Sequence, residues 1–230
     1  MNLERKAAII VGVLFIISTV AGILTVVLLE HLLKDPDYLT KVAANETQVI
    51  IGAIFDLICA GAFVGIAIII FPVLKKHNEN IAIGYVVGRS FEAVPFVIGV
   101  TSLLSLLILS QEYVQAEVPD VSSFLPLGSL LLTVRDWSNM LGARLFCGIA
   151  ALPFYYLLYQ TKLVPRFISI WGLIGTILYL SAAMLIMFGL SPVAMISVLL
   201  TLPFALNEMA LAVWLIVKGF NSDVIVSRSA

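Results

Sequence analysis

The chain has 230 residues, of which 61% are hydrophobic and 12% charged, with a mean hydropathy of +1.11 and a formal net charge of −1. A soluble domain of ordinary composition carries about 25% charged residues, so this chain holds too little charge to coat a water-facing globule. That excludes a soluble enzyme and a disordered chain, and the absence of net positive charge excludes a nucleic-acid binder.

Crossing about 30 Å of hydrocarbon takes roughly 20 helical residues. Six stretches meet that length: 7–29, 49–74, 81–109, 130–159, 167–190 and 192–217. The first follows Arg5 and Lys6, as a signal peptide would, but its apolar run exceeds the usual 7–15 residues and no small-x-small cleavage site follows. It is expected to stay as a membrane helix. The acidic loop 30–48 contains an Asp35-Pro36-Asp37 turn. In loop 111–126, Pro119 and Pro126 bracket a segment without basic residues, and 121–133 suits a short interfacial or re-entrant helix. Gly61 with Gly65, and Gly84 with Gly88, have the small-xxx-small spacing that lets helices approach closely. Pro95, Pro153 and Pro203 fall inside spans, where they free carbonyls and bend helices. The fold class read from these features is all-α, a single-domain integral membrane bundle of six transmembrane helices.

Loop charges orient it. With the N-terminus inside, inner segments carry Arg5, Lys6, Lys75, Lys76, Lys162, Arg166, Lys218 and Arg228. Outer loops carry Lys34 and Lys41 beside Glu30, Asp35, Asp37, Glu46, Glu112, Glu117 and Asp120. By the positive-inside rule both termini are cytoplasmic. Tyr155, Tyr156, Tyr159, Trp171 and Trp214 are expected as anchors at the inner interface.

Seven charged residues remain at membrane depth: Asp56, Arg89, Glu92, Arg135, Asp136, Arg144 and Glu208. At about 2.5–3.5 kcal/mol each on insertion scales, they would together exceed the 5–15 kcal/mol net stability typical of a protein. They must face one another or water inside the bundle. Helical rise sorts them into two polar layers. The outer one pairs Asp56 with Arg144, below Arg135, Asp136 and Asn139. The inner one joins Arg89 and Glu92, three residues apart on one helix face, to Asn207 and Glu208. Asp136 and Arg144, eight apart, are also expected to share a face.

These nine residues are the candidate site, with two readings of it. Buried ion pairs can simply lock helix register, although seven charges are more than register needs. Alternatively they line a cavity. Cys59 and Cys147 read as small core residues, and His31 and His77 as solvated loop residues. With no histidine at membrane depth, haem, copper and the usual zinc centres are disfavoured, and the arginines oppose a metal held by carboxylates alone. No cofactor is implied. The chain also lacks a Gly-rich phosphate loop, a nucleophile elbow and a Cys-x-x-Cys pair. The expected function is binding or transport of a small anionic ligand, with Arg89 and Arg144 holding the anion and Glu92 and Glu208 sensitive to protons. Six helices are few for a transporter, so a homodimer in the lipid bilayer is expected. An intramembrane enzyme acting on a lipid-like substrate, and a sensor or accessory subunit of another membrane protein, stay open as alternatives.

The last third of the chain carries a distinctive pattern. Lys162-Leu-Val-Pro165-Arg166 precedes Ile170-Trp171-Gly172-Leu-Ile-Gly175. Leu202-Pro203-Phe-Ala-Leu-Asn207-Glu208 then leads to Ala212-Val-Trp214-Leu-Ile-Val-Lys218-Gly219-Phe220. With Gly88-Arg89-Ser-Phe-Glu92 and the stretch from Arg144 to Tyr159, the pattern resembles an uncharacterised prokaryotic multi-pass membrane family, domain of unknown function 4386. The resemblance implies a multi-span membrane protein of bacteria or archaea and no particular activity. It also implies that Arg89, Glu92, Arg144 and Glu208 belong to the family pattern.

Overall fold

A computed structural model describes residues 3–116, 123–191 and 194–221. Among them there is no strand, and six helical spans are long and apolar enough to cross a membrane. They are α1 (Leu3–Leu33), α3 (Glu46–Lys75), α4 (Glu79–Gln115), the continuous helix α5–α6, α7 (Arg166–Met187) and α8 (Met195–Val217). Each covers most of the stretch its hydropathy marked. Glu117, Pro119, Asp120, Arg228, the first residues of the 121–133 segment and the first of the 192–217 stretch lie outside the described residues.

Two local features were not visible in hydropathy. The acidic loop between α1 and α3 folds into a seven-residue helix, α2 (Tyr38–Ala44), which buries Leu39 and Val42 against the C-terminal part of α4. It is preceded by the Asp35-Pro36-Asp37 turn, where Asp35 accepts from the Lys41 amino group and from the Asp37 backbone N–H. Those bonds hold the Asp35 carboxyl below its ordinary range. The second feature lies inside the fourth span. There α5 (Phe124–Met140) and α6 (Cys147–Thr161) are joined without a break by a π-helical stretch, Leu141–Phe146. The described end of the expected interfacial helix is simply the first turns of α5.

The spans form a ring in which α1 packs on α3, α3 on α4, α4 on α5–α6, α6 on α7 and α7 on α8, and α8 returns to α1. The outward faces carry exposed Val27, Ile68, Val94, Ile174 and Leu199. In water this would be one continuous apolar surface, far beyond the few hundred Å² that soluble monomers tolerate. In lipid it costs nothing, and the chain is therefore a multi-pass membrane protein. The ring interior at the end bearing the N-terminus is filled by Phe15, Ile66, Ile70, Tyr85, Phe154, Tyr155, Phe204 and Leu211. At the other end Leu29, Leu39, Val49, Leu103 and Leu106 form a second apolar plug.

Close approach depends on single glycines rather than on both members of each predicted pair. A Cβ on Gly88 would lie 2.8 Å from Ala150 Cβ, so α4 and α6 touch through that position. Gly84 and Gly61 face open space, and Gly65 meets only the end of Leu14. Tyr155 is also relocated: it is 1% exposed and packs edge-on to Phe154, in the core rather than at the interface. It bulges over Gly172, which leaves the room its ring occupies.

Candidate functional site

The ring axis carries the first ion pair. Arg89 Nη1 lies 2.8 Å from Glu92 Oε2, and the two residues are 3% and 1% exposed. Their i,i+3 spacing makes the pair local to α4. Around it stand Phe63, Phe15 and Tyr85, with ring centroids 4.9, 5.9 and 5.9 Å from the guanidinium carbon. Arg89 also donates to Cys147 Sγ at 3.6 Å. Cys147 is buried as expected of a small core residue, but it belongs to this polar centre as well. Among the described residues Arg89 Nε has no hydrogen-bond partner, and Glu92 Oε2 is met only by the Arg89 charge.

Asp56 does not pair with Arg144. Its partner is Arg135, at 3.6 Å, in a second buried pair that ties α3 to α5. Thr25 of α1 stands beside it and donates to the Gly52 carbonyl. Asn139 lies one turn further along α5, where its Oδ1 packs against Gly99 without a hydrogen-bond partner. Asp136 departs from its expected role: its side chain is 76% exposed, 3.9 Å from Arg135 and facing out of the bundle toward the Lys34 end.

Arg135 and Arg144 are nine residues apart, about half a turn around a helix, so with Arg135 on Asp56 the Arg144 side chain faces the other way. Arg144, inside the π-helical stretch, is turned away from Asp56 and toward α8. The stretch is held open by Tyr179 of α7, whose hydroxyl donates to the Ala143 carbonyl at 2.5 Å. A side chain inserted into a helix ladder is a known cause of such local rewinding. Gly142 makes it fit, since a Cβ there would lie 2.9 Å from the Glu92 carbonyl oxygen.

Arg144 is half-buried. Its Nη1 donates to Thr201 Oγ1 at 2.7 Å, and its guanidinium carbon lies 5.9 Å from the Tyr179 ring centroid. Thr201 in turn donates to the Ser197 carbonyl at 2.8 Å. Among the described residues no carboxylate comes within ion-pair distance of Arg144, unlike Arg89 and Arg135. Its Nε and Nη2 edge makes no hydrogen bond to the described residues.

Asn207 does not join the inner layer as expected, and Glu208 reaches it only through the field of Arg89. Asn207 is fully buried and donates to the Ile168 carbonyl at 2.9 Å, fastening α8 to α7 instead. Glu208 is half-buried and feels the Arg89 charge, but makes neither an ion pair nor a hydrogen bond among the described residues. It shares the face of α8 that carries Thr201, seven residues before it. The structure thus brings Arg89, Glu92 and Glu208 toward one centre and Asp56 to Arg135, and leaves Arg144 with neutral partners. Thr201 and Tyr179 were missed in the sequence. Only Thr201 left a signal there, its helical register with Glu208. No three His, Cys, Asp or Glu side chains gather as a metal site among the described residues.

A family model, described as a domain of unknown function (DUF4386), matches residues 10–219. No curated protein and no solved structure matches the chain.

Proposed function

The chain belongs to the DUF4386 family, and we propose that it binds a small anion at membrane depth through Arg144. One observation carries this reading: among the described residues Arg144 is the buried-region arginine without a carboxylate, and its Nε/Nη2 edge makes no hydrogen bond to them while Nη1 is held by Thr201. That edge presents two parallel N–H groups, the geometry that takes a carboxylate or phosphate oxygen pair. A guanidinium stays charged in any surroundings, so at this depth an anion is the way to neutralise it. Arg89, which was an equal candidate on sequence, is instead occupied by Glu92 and three aromatic rings. Glu208, a carboxyl in the field of Arg89 but in no ion pair among the described residues, and on the face of α8 that carries Thr201, is the proposed proton-responsive group.

The test is thermal stabilisation of the purified protein by a panel of acetate, longer carboxylates and inorganic phosphate. At least one anion should raise the melting temperature of the wild type. Charge-assisted hydrogen bonds contribute about 1.5–3 kcal/mol, so Arg144→Gln should weaken binding about ten- to a hundredfold. Glu208→Gln should remove the pH dependence of that binding without preventing membrane insertion. Equal stabilisation of wild type and Arg144→Gln, or none across the panel, would overturn the reading. Co-purification of a second membrane protein that is lost in Arg144→Gln would support an accessory subunit in its place.

We further propose a prokaryotic cytoplasmic membrane as its location, with both termini in the cytoplasm. Arg5, Lys75, Lys76, Lys162, Arg166 and Lys218 gather at one end of the ring, and a positive end faces the cytoplasm. Single cysteines in a variant lacking Cys59 and Cys147 should be labelled by an impermeant reagent at Lys41 from outside. Labelling at His77 in intact cells would reverse the topology.

A further inference from the structure

At the basic end of the ring, the loop between α6 and α7 and the end of α8 enclose a pocket of about 500 Å³. That volume lies within the range of small-ligand sites. Its walls carry three cationic side chains, Lys162, Arg166 and Lys218, over a floor of buried Leu163, Val164 and Phe220. None of the three forms an ion pair among the described residues, whereas the neighbouring Lys75 and Lys76 are paired with Glu79 at 2.8 Å and Glu4 at 2.7 Å. The cations are thus clustered at one place without an ion-pair partner among the described residues.

The surroundings add to the positive field. The carbonyls that end α8 would oppose it, but Arg5 donates to those of Leu215, Ile216 and Val217 at 3.1, 2.7 and 3.0 Å. The same guanidinium lies against Gly219, a pocket residue at φ +79, where a Cβ would meet Arg5 Nη1 at 2.7 Å. Pro165 precedes α7 and offers no side-chain acceptor to its first N–H groups. Lys162 is held in the left-handed region at φ +55, the one non-glycine residue so placed among those described.

Position decides the ligand. Trp214 lines the pocket, and Tyr159 stacks under Arg166 with its centroid 5.3 Å from the guanidinium carbon. Trp and Tyr mark the level of lipid headgroups, and basic pockets between helices at that level take phosphate-bearing headgroups. We propose that this pocket binds the phosphate of an anionic phospholipid, as a site separate from Arg144 and independent of its function. The recognised group is a phosphate monoanion or phosphodiester, gripped by Arg166 between Lys162 and Lys218.

The experiment compares the purified full-length protein in mixed micelles of detergent with phosphatidylglycerol, with phosphatidylcholine, or with inorganic phosphate alone, reading retained lipid by native mass spectrometry and melting temperature by fluorescence. Phosphatidylglycerol should be retained and should raise the melting temperature; phosphatidylcholine should do so at least tenfold more weakly. The variant Lys162→Gln/Arg166→Gln/Lys218→Gln should lose that preference about tenfold or more. Lys75→Gln/Lys76→Gln, at the same end but outside the pocket, should keep it. Equal loss in both variants would reduce the effect to general surface charge and overturn the site. Stabilisation by inorganic phosphate equal to that by lipid would overturn the lipid assignment. If the triple variant fails to fold, Arg166→Gln alone decides the matter by the same retention measurement.

Discussion

Glu92→Gln is expected to be among the most damaging single substitutions in the chain, lowering stability by about 3–5 kcal/mol, the range for removing one partner of a buried ion pair. The substitution keeps the shape and deletes the charge, so Arg89 is left without an ion-pair partner, with Cys147, three aromatic faces and the more distant carboxyl of Glu208 around it. Cation–π contacts return about 2 kcal/mol at most when desolvated, and the guanidinium cannot shed its proton. The reverse change, Arg89→Met, should cost less, because a lone carboxyl can take up a proton and become neutral. Unfolding in detergent by denaturant or heat measures both. The double variant Arg89→Met/Glu92→Gln should recover most of the loss, since exchanging a whole buried pair for neutral side chains of similar size is often harmless. A Glu92→Gln protein as stable as the wild type would show that the pair lies in water rather than in a dry core.

Phe204→Ala is the second large effect, at about 3–5 kcal/mol for deleting a buried aromatic side chain. Phe204 is 2% exposed, stacks on Tyr179 with centroids 4.6 Å apart, and meets Tyr155 edge-on at 6.3 Å. Its backbone also closes on Gly175, where a Cβ would lie 3.1 Å from Phe204 Cα, so α7 and α8 cannot slide together to refill the space. The loss should therefore include the cavity as well as the transfer term. It should reach the anion site too, because Tyr179 both supports the π-helical stretch and faces Arg144. Phe204→Leu should restore much of the stability. Phe204→Ala melting within a degree of wild type, with unchanged anion binding, would count against both claims.

How far the molecule could be read in advance depended on whether each feature is local. Arg89 and Glu92 are three residues apart on one helix, so their pairing follows from helical geometry alone. The six spans follow from length and hydropathy. The partner of Asp56 depends on the relative rotation of two helices, which hydropathy does not register: Arg135 and Arg144 lie about half a turn apart, so only one of them can face Asp56. Arg144 was misassigned as the partner of Asp56 for this reason. Asn207 was legible as a polar group but not as a clasp, because its acceptor is a backbone carbonyl, Ile168, which any residue supplies. The short α2 was hidden by its polar composition, with only Leu39 and Val42 to give it an apolar face.

The two dry ion pairs also differ in when they can form as the chain enters the bilayer. Arg89 and Glu92 travel together, so α4 arrives already neutralised and needs no other helix for that purpose. Asp56 arrives on α3 and meets its cation only when α5 follows, with the whole of α4 inserted between them. During synthesis α3 thus carries a carboxyl without its cation until Arg135 emerges. Arg135 is the residue whose loss should show first as failed biogenesis, before any defect in the finished protein.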